Sequence, residues 1–267
     1  MMMRSTVQLM ALLALLLAQQ AMAAIGTVRL SPDTTLLLSA QTVADENLAE
    51  DDLTGAVALQ DVGAVPRAAG LAAYHLLENG DQLLVLDTAV SLPGPVIARS
   101  NDIVRYDGAA YTLEFVGSNR DVPHGARIDA LTLAENGDLL LSFDVTTALP
   151  SVVAQDEDLV RFDGVDQYEL FFDGSAEGLD PGLDLDAAHF DADSGHLLIS
   201  LDSGGTAAGT VFSDEDILEY DPIGEAWTIA YDGSAEHGAW AGGDLVAAFV
   251  TLLGNLIFLD GFENLVP

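Results

Sequence analysis

The strongest constraint on this chain is that it repeats. Residues 71–127 and 128–184 align at an offset of 57, with about 22 identities once a one-residue shift near residue 100 is allowed. A third copy runs over 185–244 and a truncated one begins at Leu245. A degenerate copy precedes them, where VRLSPDTTLLLSAQ (28–41) follows the pattern of LTLAENGDLLLSFD (131–144). A period of this length means one supersecondary unit stacked against copies of itself, each burying the faces of its neighbours.

Each copy has the same layout. A short apolar-rich segment, Ile128 to Leu133 in the second full copy, leads to Asn79-Gly80, Asn136-Gly137 or Ser194-Gly195, and then to LLVLD, LLLSFD or LLISLD. Asn-Gly between apolar runs predicts a two-residue hairpin with positive φ at both turn residues. After a loop of about 14 residues comes a third strand, DIVRYD (102–107), DLVRFD (158–163) or DILEYD (216–221). A fourth follows as YTLEFVGS (111–118), YELFFDGS (168–175) or WTIAYDGS (227–234). The segment AGLAAYHLLENG (69–80) reads as helix in isolation, but the repeat aligns Tyr74 with Leu131 and Leu76 with Leu133, which makes it a strand.

Four short strands per period predict an all-β chain, a β-propeller of four-stranded blades. A β-solenoid has a shorter repeat, and tandem β-sandwiches need more strands per unit. The repeats fall at about 26–70, 71–127, 128–184, 185–244 and 245–267. They read as five blades with the last truncated, or as four blades plus a hairpin formed by the apolar run LVAAFVTLLGNLIFL (245–259).

Residues 1–23 carry Arg4, an apolar run from Leu9 to Ala18 and the small-x-small pattern Ala21-Met22-Ala23, the layout of a cleaved export signal. The expectation is a secreted or periplasmic bacterial protein with one propeller domain over 24–267. No membrane span is expected after cleavage. The chain has 43 Asp plus Glu against 8 Lys plus Arg, a formal net charge of −35, and no cysteine. Such a surface repels nucleic acid and anionic lipid. Absence of cysteine excludes disulfides, thiolate metal sites and a thiol nucleophile. Half the residues are hydrophobic, so the acidity does not imply disorder.

The phrase ENGDLLLSFD followed by DLVRFDG and YELFFDGS resembles repeats of uncharacterised secreted bacterial proteins that alternate a DG-x-L-L-x-S-x-D hairpin with an [FY]DGS hairpin. More distantly it resembles blades of the NHL and SMP-30/gluconolactonase-like propellers. The resemblance implies a propeller outside the cytoplasm and no defined activity.

In a propeller the loops after the second and fourth strands open on one face, and here these are the long ones. Loops held by a rigid scaffold carry function. Acids recur there in register. Asp87, Asp144 and Asp202 close the second strand, and Asp102, Asp158 and Asp216 open the third. Clustered carboxylates suit Ca²⁺, which takes 6–8 oxygen ligands. The candidate metal ligands are Asp144, Asp156, Glu157, Asp158, Asp202, Asp214, Glu215 and Asp216; the alternative is Asp that only forms turns and keeps the rim solvated. Asp129, Asp186, His124, His237 and Trp240 are candidates for a ligand face.

No nucleophile elbow, H-E-x-x-H or phosphate loop occurs, and no catalytic set is assigned. The expected function is a monomeric, non-enzymatic binding module, Ca²⁺-stabilised, that meets a protein or glycan partner at the long-loop face. The alternative is a metal-dependent hydrolase of lactonase-like type, which requires Asp129, Asp186 and a histidine to converge on one metal. A third reading is a passive acidic coat adapted to salt.

Overall fold

A computed structural model describes residues 24–165 and 167–253. Within Gly26–Thr251 the chain forms four four-stranded antiparallel sheets, the blades of a four-bladed β-propeller. Strands are lettered a to d from the axis outwards. Blade 2 comprises Leu71–Leu76, Gln82–Leu86, Asp102–Tyr106 and Tyr111–Val116. Blade 3 comprises Ile128–Leu133, Leu139–Phe143, Leu159–Phe162 and Tyr168–Phe172, and blade 4 Leu185–Phe190, Leu197–Leu201, Ile217–Asp221 and Ala226–Tyr231. Blade 1 takes b, c and d from Ile25–Pro32, Leu48–Asp51 and Val57–Gln60, and its a strand from Leu245–Leu252. Outside Gly26–Thr251, the N–H of Leu253 donates to the carbonyl of Ala24 at 2.8 Å. No helix among the described residues is long and apolar enough to cross a membrane.

The count is therefore four blades, the alternative of the two expected counts, and the five-blade reading has a definite source. VRLSP aligns in space with strand b, LLLSF, of blade 3, because Leu30 pairs with Ala49 as Leu141 pairs with Val160. Ser31, Ser142 and Ser200 then occupy one position, each donating to a main-chain carbonyl fourteen residues on, at Asp45, Asp156 and Asp214. The degenerate first copy thus lacks an a strand. Leu245–Leu252 supplies it and closes the ring, in place of a fifth blade; the second half of the expected hairpin falls in 254–267, outside the described residues.

Two local readings also change. The turns at Asn79-Gly80 and Asn136-Gly137 have positive φ only at glycine, 89° and 85°. The carbonyls of Leu77 and Ala134 accept from Gly80 and Gly137, which makes a type I turn followed by a left-handed glycine. Asn at the preceding position holds that longer turn by accepting the N–H of Asp81 or Asp138 at 3.1 Å. Each long b–c loop is itself a small hairpin, as in Val90–Leu92 with Val96–Ala98 and Gly205–Ala207 with Thr210–Phe212.

The apolar cores lie between blades. Strands of blades 2 and 3 share one around Ile103, Phe115, Ile128 and Phe143, and blades 3 and 4 share another around Leu159, Leu185, Ile199 and Leu218. An aromatic pair recurs at the c–d junction: Tyr106–Tyr111, Phe162–Tyr168 and Tyr220–Trp227, with ring centroids 4.9, 5.0 and 4.8 Å apart. Its second member reaches back to the preceding blade. Tyr111 Oη donates to Val62 O at 2.6 Å, Tyr168 Oη to Arg120 O at 2.8 Å, and Trp227 Nε1 to Glu177 O at 2.8 Å.

Blade 1 has Asp51 where the others have the first aromatic. Asp51 is fully buried and takes Tyr231 Oη at 3.0 Å and His237 Nε2 at 2.9 Å, so a polar triad seals blade 4 to blade 1. His237 is therefore part of the closing seam and not of a ligand face. Trp240 is corrected likewise: it is completely buried and has no ring face to offer. Arg105 and Arg161 pair within their own blades, Arg105 with Asp81 and Glu114 and Arg161 with Asp138 and Glu169.

Glycine in the fourth-strand motif has a steric cause. A Cβ on Gly117, Gly174 or Gly233 would stand 2.2, 2.3 or 2.5 Å from the carbonyl oxygen of Asn101, Glu157 or Glu215. Gly174→Ala is expected to cost about 1–3 kcal/mol by overpacking in urea denaturation. Asp51→Ala is expected to cost about 3–5 kcal/mol, since it leaves two buried partners of the seam unpaired. Tyr231→Phe removes one hydrogen bond and is expected to cost about 1 kcal/mol in the same measurement.

Candidate functional site

The repeat places four sets of side chains around the axis on the face where b strands end and a strands begin. The second residue of strand a is Ala72, Asp129, Asp186 or Val246, and all four line one cavity of about 130 Å³ at the mouth of the axis. The register of strand a slips here, between Leu71 and Ala73, Ile128 and Leu131, and Leu185 and Ala187. Such bulges re-aim a side chain, and these deliver Asp129 and Asp186 into the cavity. The residue before strand a is Gly70, Arg127, Asp184 or Asp244, and the residue after strand b is Asp33, Asp87, Asp144 or Asp202.

The last set has a structural task with a consequence. One oxygen of each carboxylate accepts a main-chain N–H from the residue before strand a. Asp33 takes Asp244 at 2.8 Å, Asp87 takes Gly70 at 3.0 Å, Asp144 takes Arg127 at 2.7 Å, and Asp202 takes Asp184 at 3.0 Å. The chain needs an acid at this place in every blade, so a ring of negative charge forms around the axis as a by-product of fastening a to b. Asp33, Asp45 and Asp87 join Asp129, Asp186 and Arg127 in the cavity lining.

Asp129 lies deepest. It is 1% exposed, and neither carboxylate oxygen has a hydrogen-bond partner. Arg127 is the one basic residue of the lining; its Nε stands 3.9 Å from Asp144 Oδ2, beyond hydrogen-bond reach. Burial, reinforced by Asp184 and Asp186, holds the Asp129 carboxyl well above the ordinary range. Burial and neighbouring carboxylates likewise push Asp184 up to about 8 and Asp186 to about 6. Asp244 rises to about 9 through burial and its hydrogen-bonded neighbour Asp186. That carboxyl–carboxyl hydrogen bond itself requires a proton.

Deeper in the channel, His75, His189 and Phe249 pack together, with rings 4.8–6.5 Å apart. Burial lowers His75 to about 3 and His189 to about 4, so both are neutral. Neither lines the mouth cavity with Asp129 and Asp186.

The acids proposed from the loops divide. Asp158 and Asp216 each use both oxygens on main-chain amides, Gln155 and Gly174 for the first, Ser213 and Gly233 for the second, at 2.8–3.1 Å. They fasten the start of strand c to the end of strand d, as Asp102 does in blade 2. Asp156 and Asp214 are half-exposed beside them, while Glu157 and Glu215 are buried. Both oxygens of Glu157 are enclosed without a partner. His124 is exposed on its loop. Among the described residues no three Asp, Glu or His side chains come together as a metal-holding group.

The mouth residues that sequence reasoning left out are Asp33, Asp45 and Arg127. Asp33 had a legible signal, since Ser31-Pro32-Asp33 matches Ser142-Phe143-Asp144 once the serine sets the alignment. Arg127 had none, because nothing in its sequence neighbourhood marks it as axial.

No known protein-family model matches the chain, and no curated protein matches it. Among solved structures it is similar to YCF48 from Cyanidioschyzon merolae, at 10% identity over 70% of this chain and 54% of that one, with a TM-score of 0.31. It is also similar to virginiamycin B lyase from Staphylococcus aureus, at 10% identity over 76% of this chain and 70% of that one, TM-score 0.34. The extracellular domain of BT4673 from B. thetaiotaomicron is matched at 10% identity over 79% of this chain and 33% of that one, TM-score 0.37. The chain thus spans about half the length of YCF48 and a third of the BT4673 domain.

The raised carboxyls set a pH dependence whose sign is definite. A folded state that holds protons the unfolded chain would release is favoured in acid. Its advantage is complete below the unfolded pKa of about 4 and is lost as pH rises through the folded values. Thermal melts at fixed ionic strength are expected to fall by several degrees between pH 5 and pH 9. Asp129→Asn and Asp184→Asn are expected to flatten that slope.

Proposed function

We propose that this chain is an exported, non-enzymatic binding module whose recognition site is the acidic mouth of the propeller axis, and that its ligand is cationic. The observation that carries the reading is Asp129, a buried carboxylate with both oxygens unpartnered on the wall of a cavity. Burial favours the protonated form of this carboxyl, and a cation arriving beside it would favour its ionised form. The surrounding Asp33, Asp45, Asp87 and Asp186 focus negative potential at the same point. The lactonase-like alternative is disfavoured because no histidine lines the cavity that Asp129 and Asp186 share.

A second site is supported by a different observation. Glu157, buried with both oxygens unpartnered, stands beside half-exposed Asp156; in blade 4 Glu215 and Asp214 hold the same places, with Glu215 hydrogen-bonded to Ser234 and Asp214. Ca²⁺ bound there would stabilise the c–d junction without taking part in recognition. The long loops around the mouth would form the rim on which a protein or glycan partner rests.

Thermal-shift titrations separate these assignments. Across Ca²⁺, Mg²⁺, guanidinium and alkylammonium salts, at least one cation class is expected to raise Tm through the mouth, and Asp129→Asn/Asp186→Asn should abolish that rise. A uniform response of wild type and double variant to every salt would instead mark a passive acidic surface. A Ca²⁺ response that survives the double variant but is lost in Glu157→Gln/Glu215→Gln would assign Ca²⁺ to the second site.

A further inference from the structure

The mouth is acidic all round, but the strand-a position within it is not. Strand a contributes Asp129 and Asp186 from blades 3 and 4, whereas the same position holds Ala72 in blade 2 and Val246 in blade 1. Leu71 and Pro32 extend that second half of the wall. At this level strand a therefore sets two carboxyls across the axis from two apolar side chains, and Asp33, Asp45 and Asp87 of blades 1 and 2 add acids to the same lining.

We propose that the ligand of the mouth is an alkylammonium group, an ammonium head on a chain of methylenes; this rests on the reading of the mouth as the recognition site. The head suits Asp129 and Asp186 because an ammonium has three N–H donors and no acceptor, and both Asp129 oxygens lack donors. The stem suits the apolar side chains of the lining, where methylenes replace water against Ala72, Val246 and Leu71. A hard metal ion makes no use of that wall and calls for 6–8 converging oxygens, whereas among the described residues no three acids close into a metal-holding group. The cavity, about 130 Å³, admits a side chain rather than a folded segment. Arg127 lines the same cavity without a hydrogen bond at its buried Nε, so the resident cation leaves Asp129 unsatisfied.

An alkylammonium head can come from a lysine of a partner protein or from a free diamine, and calorimetric titration of the purified protein at about 0.15 M salt distinguishes them. The probes are Nα-acetyl-lysine methylamide, 1,5-diaminopentane, a series from methylammonium to pentylammonium, methylguanidinium and CaCl₂. Binding is expected to tighten along the alkyl series by up to about fourfold per methylene. Asp129→Asn and, separately, Asp186→Asn are expected to weaken it about tenfold or more. Binding of the lysine derivative at least as tight as that of the diamine supports a protein partner; tighter binding of the diamine supports a free polyamine. Flat affinity along the alkyl series, or amine binding unchanged in both variants, overturns the inference. Ca²⁺ or guanidinium acting through Asp129 while no alkylamine binds would overturn it and leave the mouth as the recognition site. No cation acting through Asp129 would remove both. Circular dichroism and the melt of each variant establish that it is folded.

Discussion

Everything in this fold depends on one strand pairing across the length of the chain. Leu245–Leu252 completes blade 1 by adding to Ile25–Pro32. Each apolar core lies between two blades, so a ring left open would expose the flank of the first and the last, and their cores would be lost to water. The contacts that close the ring pay the loop-closure entropy of nearly the whole chain. The seam is accordingly built differently from the other three. Where neighbouring blades meet through an aromatic pair and a hydrogen bond to a carbonyl, blade 4 meets blade 1 through Asp51, Tyr231 and His237, all buried. A polar triad has one good arrangement, whereas apolar surfaces tolerate several. The departure makes the closing seam chemically distinct from the other three.

The acidity of the chain follows in part from the same architecture. Asp33, Asp87, Asp144 and Asp202 each accept a main-chain N–H that no ladder partner reaches, and Asp102, Asp158 and Asp216 each accept two. Asp is suited to this because its short side chain brings a charged acceptor close to the backbone, and hydrogen bonds to ionised groups are the stronger ones. Fourfold repetition then concentrates negative charge at one end of the axis whether or not a ligand exists. What distinguishes a site from a scaffold is the departure from symmetry. Asp129 and Asp186 occupy positions where the other two blades have Ala72 and Val246, so the blade does not need an acid there, and neither oxygen of Asp129 has a hydrogen-bond partner.

Much of this was legible beforehand, and the misses have physical explanations. The apolar runs with their turns identified the strands of blades 2 to 4, including Leu71–Leu76, whose local composition favours helix. The first copy was misread because LLLS at 36–39 imitates strand b while the true strand b is VRLSP; only pairing with Leu48–Asp51 distinguishes them. Trp240 and His237 looked available because loop residues usually are. Their burial follows from closure, which a linear reading places at opposite ends of the chain.

The sequence by itself determined the unit: four strands, their tight turns, the glycine of the fourth-strand motif and the acid at the end of strand b all follow from local spacing, because hairpins are built from near neighbours. Tertiary structure alone decided how many units make the ring, which strand completes it, and which acids share a cavity. Those depend on inner strands that are far apart in the chain and converge on one axis. The one-residue bulges that turn Asp129 and Asp186 into the mouth leave no trace in the repeat pattern.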